Sequence, residues 1–445
     1  MRLSDGLRIS GGEVIAFVGA GGKSTAIRRL VGELAGRIPT VVTTTTKIAL
    51  DQSDLAQEHL ILESIEDLLT AIESMQTFES ILLTGGKDDK EPKWRGLHPD
   101  FVEEFIPAVR ENGWVLLIEA DGARGKSLKV PASYEPVLPS QCDLVVPVVG
   151  LDVIGEEVDS PKVHRFDLLM KLLDLGANER IRSDHIVKLL TSLHGGLKDI
   201  PQESVVRVLL NKADSDGARK IGREIAWDLL KHARIQSVLL ASVTEDIPVG
   251  ESFCRVGGVV LAAGASTRLE GLKQLMTFRN KPLVAYSVEA AIGGGLDPIL
   301  VVVGRDADDV RNALSHYPVQ FVENAEWESG QSGSVRLGLN AVHDQVEAVI
   351  FLLADMPLVT SDLVEALVKK HRQTLGSVIA PFVEGKRGNP VLFDRKTFDA
   401  LREVKGDQGG RALFSQYPME QIEWDKSALF DVDSDEELRR MRDIE

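Results

Sequence analysis

The stretch from Val259 to Met276, Val-Val-Leu-Ala-Ala-Gly-Ala-Ser-Thr-Arg-Leu-Glu-Gly-Leu-Lys-Gln-Leu-Met, limits what the second half of this chain can become. It opens with an apolar run suited to a parallel strand buried on both faces. Leu261, Ala262, Ala263, Gly264 and Ser266 follow, small for the most part, so a ligand can approach the backbone closely. Arg268 and Lys273 add two fixed cations. Exposed amides, two cations and no bulk at the end of a strand make a phosphate cradle. The competing reading is a glycine-rich turn with two solvated charges.

LAAGxSxR with a Lys five residues after the Arg resembles the MobA-like nucleotidyltransferases. The nearest branch is the MocA-like molybdenum cofactor cytidylyltransferases, which join CMP to molybdopterin. The family's Gly two residues after the Arg is displaced here, since Leu269 and Glu270 intervene and Gly271 comes one position late. Further elements match in order. Gly330–Arg336 resembles the GxxxSxxxGL element that contacts base and ribose, with Ser334 in its helix. Ala348 to Asp355 is an apolar run ending in one carboxylate, the position of a Mg²⁺ ligand. Arg387-Gly-Asn-Pro390 resembles the loop beside the pterin, with Asn389 and Pro390 facing the substrate. Gly406–Arg411 resembles GDxGxR, with Asp407 on the substrate side, and Phe430–Leu438 resembles the tail that supplies Asp433 as second metal ligand. The resemblance thus implies Arg268, Lys273 and Asp355 as catalytic residues, CTP as co-substrate and molybdopterin as acceptor.

The first half follows a related plan. Glu13–Gly19 reads as a buried strand, and Gly19, Gly21 and Gly22 lead into Lys23-Ser24-Thr25 at the start of an amphipathic helix. Amides at that helix N-terminus can bind phosphate oxygens, Lys23 can reach the outer phosphates and Ser24 can bind Mg²⁺. The spacing is GxxGK[ST], similar to the loop of Mur ligases. A strand from Trp114 delivers Glu119 and Asp121, two acids on the metal side of a P-loop site. Gly122–Lys129 adds cations beside them, and His164-Arg165 is a further site candidate. Asn211-Lys212-Ala213-Asp214, after another buried run, matches the NKxD guanine-reading element of GTPases. The first domain is therefore expected to bind GTP or ATP, with GTP preferred. GAGGKST, TTTTK, EADGARGKSLK and VHR together resemble the YqeC-type proteins, accessory factors of selenium-dependent molybdenum hydroxylases.

With 445 residues and a net charge of −17, the chain is long enough for two or three domains and has no basic tract for nucleic acid. Cys142 and Cys254 fit no metal spacing, so a reducing, cytoplasmic setting is expected. No signal peptide or membrane-spanning run is apparent. Thr244–Arg255 reads as a polar joint dividing residues 1–250 from residues 256–445. The expected fold is α/β, with two doubly wound domains, P-loop NTPase-like and then Rossmann-like nucleotidyltransferase. The expected function is transfer of CMP from CTP to molybdopterin with Mg²⁺, in the maturation of a xanthine dehydrogenase-like molybdenum hydroxylase. The alternatives are a nucleotidyltransferase for a sugar or polyol phosphate, and a cofactor-carrying chaperone with a nucleotide switch.

Overall fold

The structure is a computed structural model and describes residues 1–64, 66–176, 178–264, 272–342, 344, 346–432 and 437. The chain divides into two compact units, Met1–Phe253 and Cys254–Glu445. Among the described residues no helix is long and apolar enough to cross a membrane.

Nine strands form the sheet of the first unit: β1 (Val14–Gly19), β2 (Thr40–Thr44), β3 (Glu58–Ile61), β4 (Ser80–Thr84), β5 (Val115–Glu119), β6 (Leu144–Gly150), β7 (Val205–Asn211), β8 (Ser237–Ala241) and β9 (Val249–Cys254). Their order is β9-β8-β7-β6-β1-β5-β2-β4-β3. The pairings that join β1 through β8 are all parallel. β1 is apolar throughout because it is covered on both faces. Ile15 and Phe17 pack into one core cluster, while Val14, Ala16 and Val18 pack into another. The helix Lys23–Leu34 follows β1 and buries Ala26, Ile27, Leu30 and Leu34, the one-sided pattern of a helix laid on a sheet.

The second unit has a mixed sheet: β10 (Val256–Ala262), β11 (Ile299–Val303), β12 (Gln320–Glu323), β13 (Ala348–Leu353), β14 (Val378–Val383), β15 (Lys386–Arg387), β16 (Val391–Asp394) and β17 (Met419–Glu423). The order is β12-β11-β10-β13-β16-β14-β15, with β17 on β14. The four strands around β10 are parallel, and β16 then runs antiparallel to β13. A β-α alternation in sequence predicts a parallel sheet. The antiparallel part arises because short connections, rather than crossover helices, lead into β15 and β16.

The segment Thr244–Arg255 is not the loop that its polar residues suggest. It contains β9, the edge strand beside β8, in which every residue except Gly250 is buried. Residues 251–253 therefore belong with the first unit.

Candidate functional site

In the first unit the loop after β1 can take its path only with glycine. Gly19, Gly21 and Gly22 have φ of +89°, +98° and +121°. A Cβ on Gly21 would lie 2.2 Å from the Gly150 nitrogen, and one on Gly22 would lie 2.5 Å from Asn211 Nδ2. Lys23 Nζ donates to the Gly19 carbonyl at 2.6 Å and stands 3.0 Å from Asp121 Oδ1. Ser24 Oγ donates to Glu119 Oε2 at 2.8 Å. Burial pushes the Glu119 carboxyl above its ordinary pKa, and the nearby Lys23 offsets part of that rise.

Glu119 and Asp121, which look equivalent in sequence, part company here. Glu119 lines a cleft of about 960 Å³ together with Gly21, Gly22, Lys23, Ser24 and Thr25. Asp121 is 2% exposed, does not line that cleft and accepts from the Gly19 N–H at 2.9 Å. It sits between Lys23 and Lys129, 3.0 Å from each. The expected metal role fits Glu119 with the Ser24 hydroxyl, a pair to which phosphate oxygens could add. Asp121 holds the loop and the lysine in place. Among the described residues no group of three His, Cys, Asp or Glu is arranged to hold a metal ion.

An ion-pair chain continues from Asp121. Lys129 reaches Glu135 at 2.8 Å, and Arg165 reaches the same carboxylate at 2.6 Å. Burial opposes ionisation of Glu135, but Arg165 and Lys129 outweigh it and hold its carboxyl down at about 2. Glu135 carries no sequence motif, so only the fold reveals its place. The Asn211–Asp214 element is divided in its duties. Asn211 Nδ2 donates to the Gly21 carbonyl at 2.7 Å and its Oδ1 accepts from Val243 N at 3.1 Å, so the side chain braces the phosphate loop. Lys212 lines the cleft, bonded to Ser127 Oγ at 2.8 Å and paired with Asp152 at 3.1 Å. Asp214 is exposed and does not line the cleft.

In the second unit the small-residue loop leaves β10 beside β13, where Leu261 is in register with Leu353. Ala262 and Ala263 are buried and Gly264 is exposed, while Ser266 and Arg268 lie outside the described residues. Gln274 Nε2 donates to the carbonyls of Ala262 at 3.1 Å and Gly264 at 2.5 Å, tying down the start of the loop. Lys273 Nζ pairs with Asp355 Oδ2 at 2.6 Å, two residues past the end of β13. Asp355 Oδ1 is buried and has no hydrogen-bond partner among the described residues. A buried carboxylate oxygen without a donor is costly unless a cation takes it, so this atom fits a Mg²⁺ ligand. The Asp355 carbonyl accepts from Val432 N at 3.0 Å, which brings the tail to this strand end. Asp433, the next residue, lies outside the described residues.

Ser334 falls inside the helix Gln331–Val342, buried, and its hydroxyl accepts from Asn324 Nδ2 at 3.0 Å. The loops carrying Asn389 and Arg411 meet at a small cleft of about 60 Å³ lined also by Leu261, Leu353, Arg387 and Phe414. Pro390 is buried behind a cis peptide bond, and Asn389 N donates to the Ala428 carbonyl at 2.9 Å. The Arg387 guanidinium lies 4.4 Å from the centre of the Phe414 ring, and Phe414 stacks on Phe393 at 6.3 Å. The backbone of Asp407 lies in the turn Gly406–Leu413.

Two family models match the chain: the MobA-like NTP transferase domain over residues 258–422 and the YqeC protein over residues 15–167. A nicotine blue oxidoreductase of Paenarthrobacter nicotinovorans is 32% identical over 197 residues, 42% of this chain and 96% of that protein. The uncharacterized protein YqeC of Escherichia coli K12 is 26% identical over 242 residues, 54% of this chain and 91% of that protein. The crystal structure of Rv0371c from Mycobacterium tuberculosis H37Rv is 26% identical, covers 42% of this chain and 98% of its own, and superposes with a TM-score of 0.39.

Proposed function

The chain belongs to the MobA-like NTP transferases through its second domain and to the YqeC family through its first, and from that premise we propose that it is a molybdenum cofactor cytidylyltransferase with a nucleotide-binding P-loop domain. It is an enzyme, a nucleotidyltransferase. The proposed step is attack by a terminal phosphate oxygen of molybdopterin on the α-phosphorus of CTP, expelling pyrophosphate. The observation that carries the reading is Asp355, with Lys273 on one oxygen and the other oxygen buried without a partner among the described residues.

Such a step depends on positioning and charge neutralisation more than on a protein nucleophile. Asp355, joined by Asp433, would hold Mg²⁺, which neutralises phosphate charge when bound. Lys273 is already oriented at the strand end, and with Arg268 it would offset charge developing on the departing pyrophosphate. Leu261 to Gly264 and Ser266 would give the triphosphate its close backbone approach. The cleft of Asn389, Arg387 and Phe414 supports a flat aromatic acceptor over a polyol, since rings and guanidinium planes stack on a heterocycle. In the first domain Lys23, Ser24 and Glu119 support binding of a nucleoside triphosphate with Mg²⁺, and titration with GTP and with ATP tests the proposed preference for GTP. A molybdenum hydroxylase apo-enzyme is the proposed recipient of the product.

The test is to incubate the full chain with molybdopterin, Mg²⁺ and each nucleoside triphosphate in turn, reading pyrophosphate release. CTP should give the fastest release, dependent on molybdopterin. Equal release with a sugar phosphate as acceptor, or none with CTP, overturns the assignment.

A further inference from the structure

The cleft of the first domain is lined by cations besides Lys23 and the helix N-terminus on which a triphosphate would sit. Its other lysines and arginines are neutralised within the protein, each held 2.6–3.1 Å from a carboxylate. Arg124 and Lys126 differ. Both line the cleft, and among the described residues neither has a carboxylate within ion-pair reach. Two uncompensated cations inside a concave wall attract an anion.

The loop that presents them carries backbone strain, with Arg124 exposed. Arg124 has φ of +51° and Gly125 +69°, a left-handed pair that a large side chain enters only against its preference. The same loop is fastened on both sides. Gly21 N donates to the Lys126 carbonyl at 2.8 Å, Ser127 N to the Lys162 carbonyl at 2.8 Å, and Gly150 N to the Ser127 carbonyl at 2.9 Å. The cations are thus fixed to the phosphate loop while their side chains stay available. His164 lines the same cleft, in register with Lys129. Burial, then Arg165, Lys129 and Arg124, lower its pKa to about 4, with Glu135 opposing, so the ring is neutral at pH 7 and can accept or donate. A volume of about 960 Å³ also leaves room beyond one nucleotide, being at the upper end for small-molecule sites.

We propose that the P-loop domain binds a second, anionic small molecule beside its nucleoside triphosphate, with Arg124 and Lys126 as the residues that hold the anion. This rests on the reading that the phosphate loop binds a nucleotide, so that binding is measured first, by titrating the full chain with a non-hydrolysable β,γ-imido nucleotide and Mg²⁺. The saturated protein is then titrated with inorganic phosphate and, separately, with malonate, in a calorimeter. One of the two should bind, and which one identifies the head group as phosphate or carboxylate. In the double variant Arg124→Gln, Lys126→Gln that binding should weaken at least tenfold, with nucleotide affinity within about threefold and an unchanged melting temperature. The single variant Arg124→Glu should abolish it. The proposal falls if neither anion binds the saturated protein, if the variants bind it equally, or if they lose nucleotide affinity by the same factor. In that last case the two cations belong to the triphosphate. Failure of the nucleotide itself to bind sinks the phosphate-loop reading, and this proposal with it.

Discussion

Neutralising Asp121 should unfold the first domain more readily, whereas neutralising Glu119 should not, although the two acids stand two residues apart. Asp121 is 2% exposed and touches Lys23 and Lys129, each at 3.0 Å, and the Gly19 N–H at 2.9 Å. Asp121→Asn keeps the size and leaves two buried ammonium groups short of one carboxylate. Breaking a buried ion pair from one side costs about 3–5 kcal/mol. Each lysine retains another acid, Glu119 at 3.8 Å from Lys23 and Glu135 at 2.8 Å from Lys129, so the lower end applies. A loss of about 3 kcal/mol in a unit of this size lowers the melting temperature by roughly 6–12 °C. Glu119→Gln should shift it by less than about 3 °C, because Lys23 keeps Asp121 at 3.0 Å and a glutamine oxygen can still accept from Ser24 Oγ. Its effect should fall on Mg²⁺-dependent nucleotide binding instead. Thermal unfolding of the full chain, followed by circular dichroism with and without nucleotide, measures both. Equal melting temperatures for the two variants would refute the division of labour between the acids.

Asp355→Asn should lower the proposed cytidylyl transfer by at least about 10²-fold, the scale seen when one preorganised electrostatic group is lost. Near-normal turnover at an unchanged melting temperature would remove the metal assignment. Residues 254–445, expressed alone, should fold and carry out the proposed nucleotidyl transfer, since they form a compact unit with their own core; a soluble full chain beside an insoluble fragment would count against independence. The pH dependence follows from Glu135. Its folded pKa of about 2 lies below the ordinary 4.5, so the stability it contributes is present above pH 4.5 and is lost as pH falls towards 2. Urea unfolding between pH 6 and pH 2.5 should therefore show a steeper acid loss in the native chain than in Glu135→Gln, and parallel curves would contradict it.

Much of this protein is determined by local sequence. Apolar runs such as Val14–Val18 and Ala348–Leu353 specify strands buried on both faces. Glycines at positive φ before Lys23 specify a phosphate loop, because no other residue clears Gly150 and Asn211 there. The motifs also single out Lys273 and Asp355, far apart in sequence, and in the fold they lie 2.6 Å apart. What sequence could not decide was the partner of each charge. Glu119 lines the cleft while Asp121 is buried against Lys129, which in turn reaches Glu135. Nor does the sequence show that Asn211 bonds the Gly21 carbonyl or that the Ser334 hydroxyl accepts from Asn324. The strand hidden in the polar segment Val249–Cys254 escaped for a related reason. Its pairing comes from β8 and the chain start, where Val249 N donates to the Met1 carbonyl at 3.2 Å. Hydrogen bonds and ion pairs between distant residues cannot be read from periodicity, because their energy depends on burial and direction that only the assembled fold supplies.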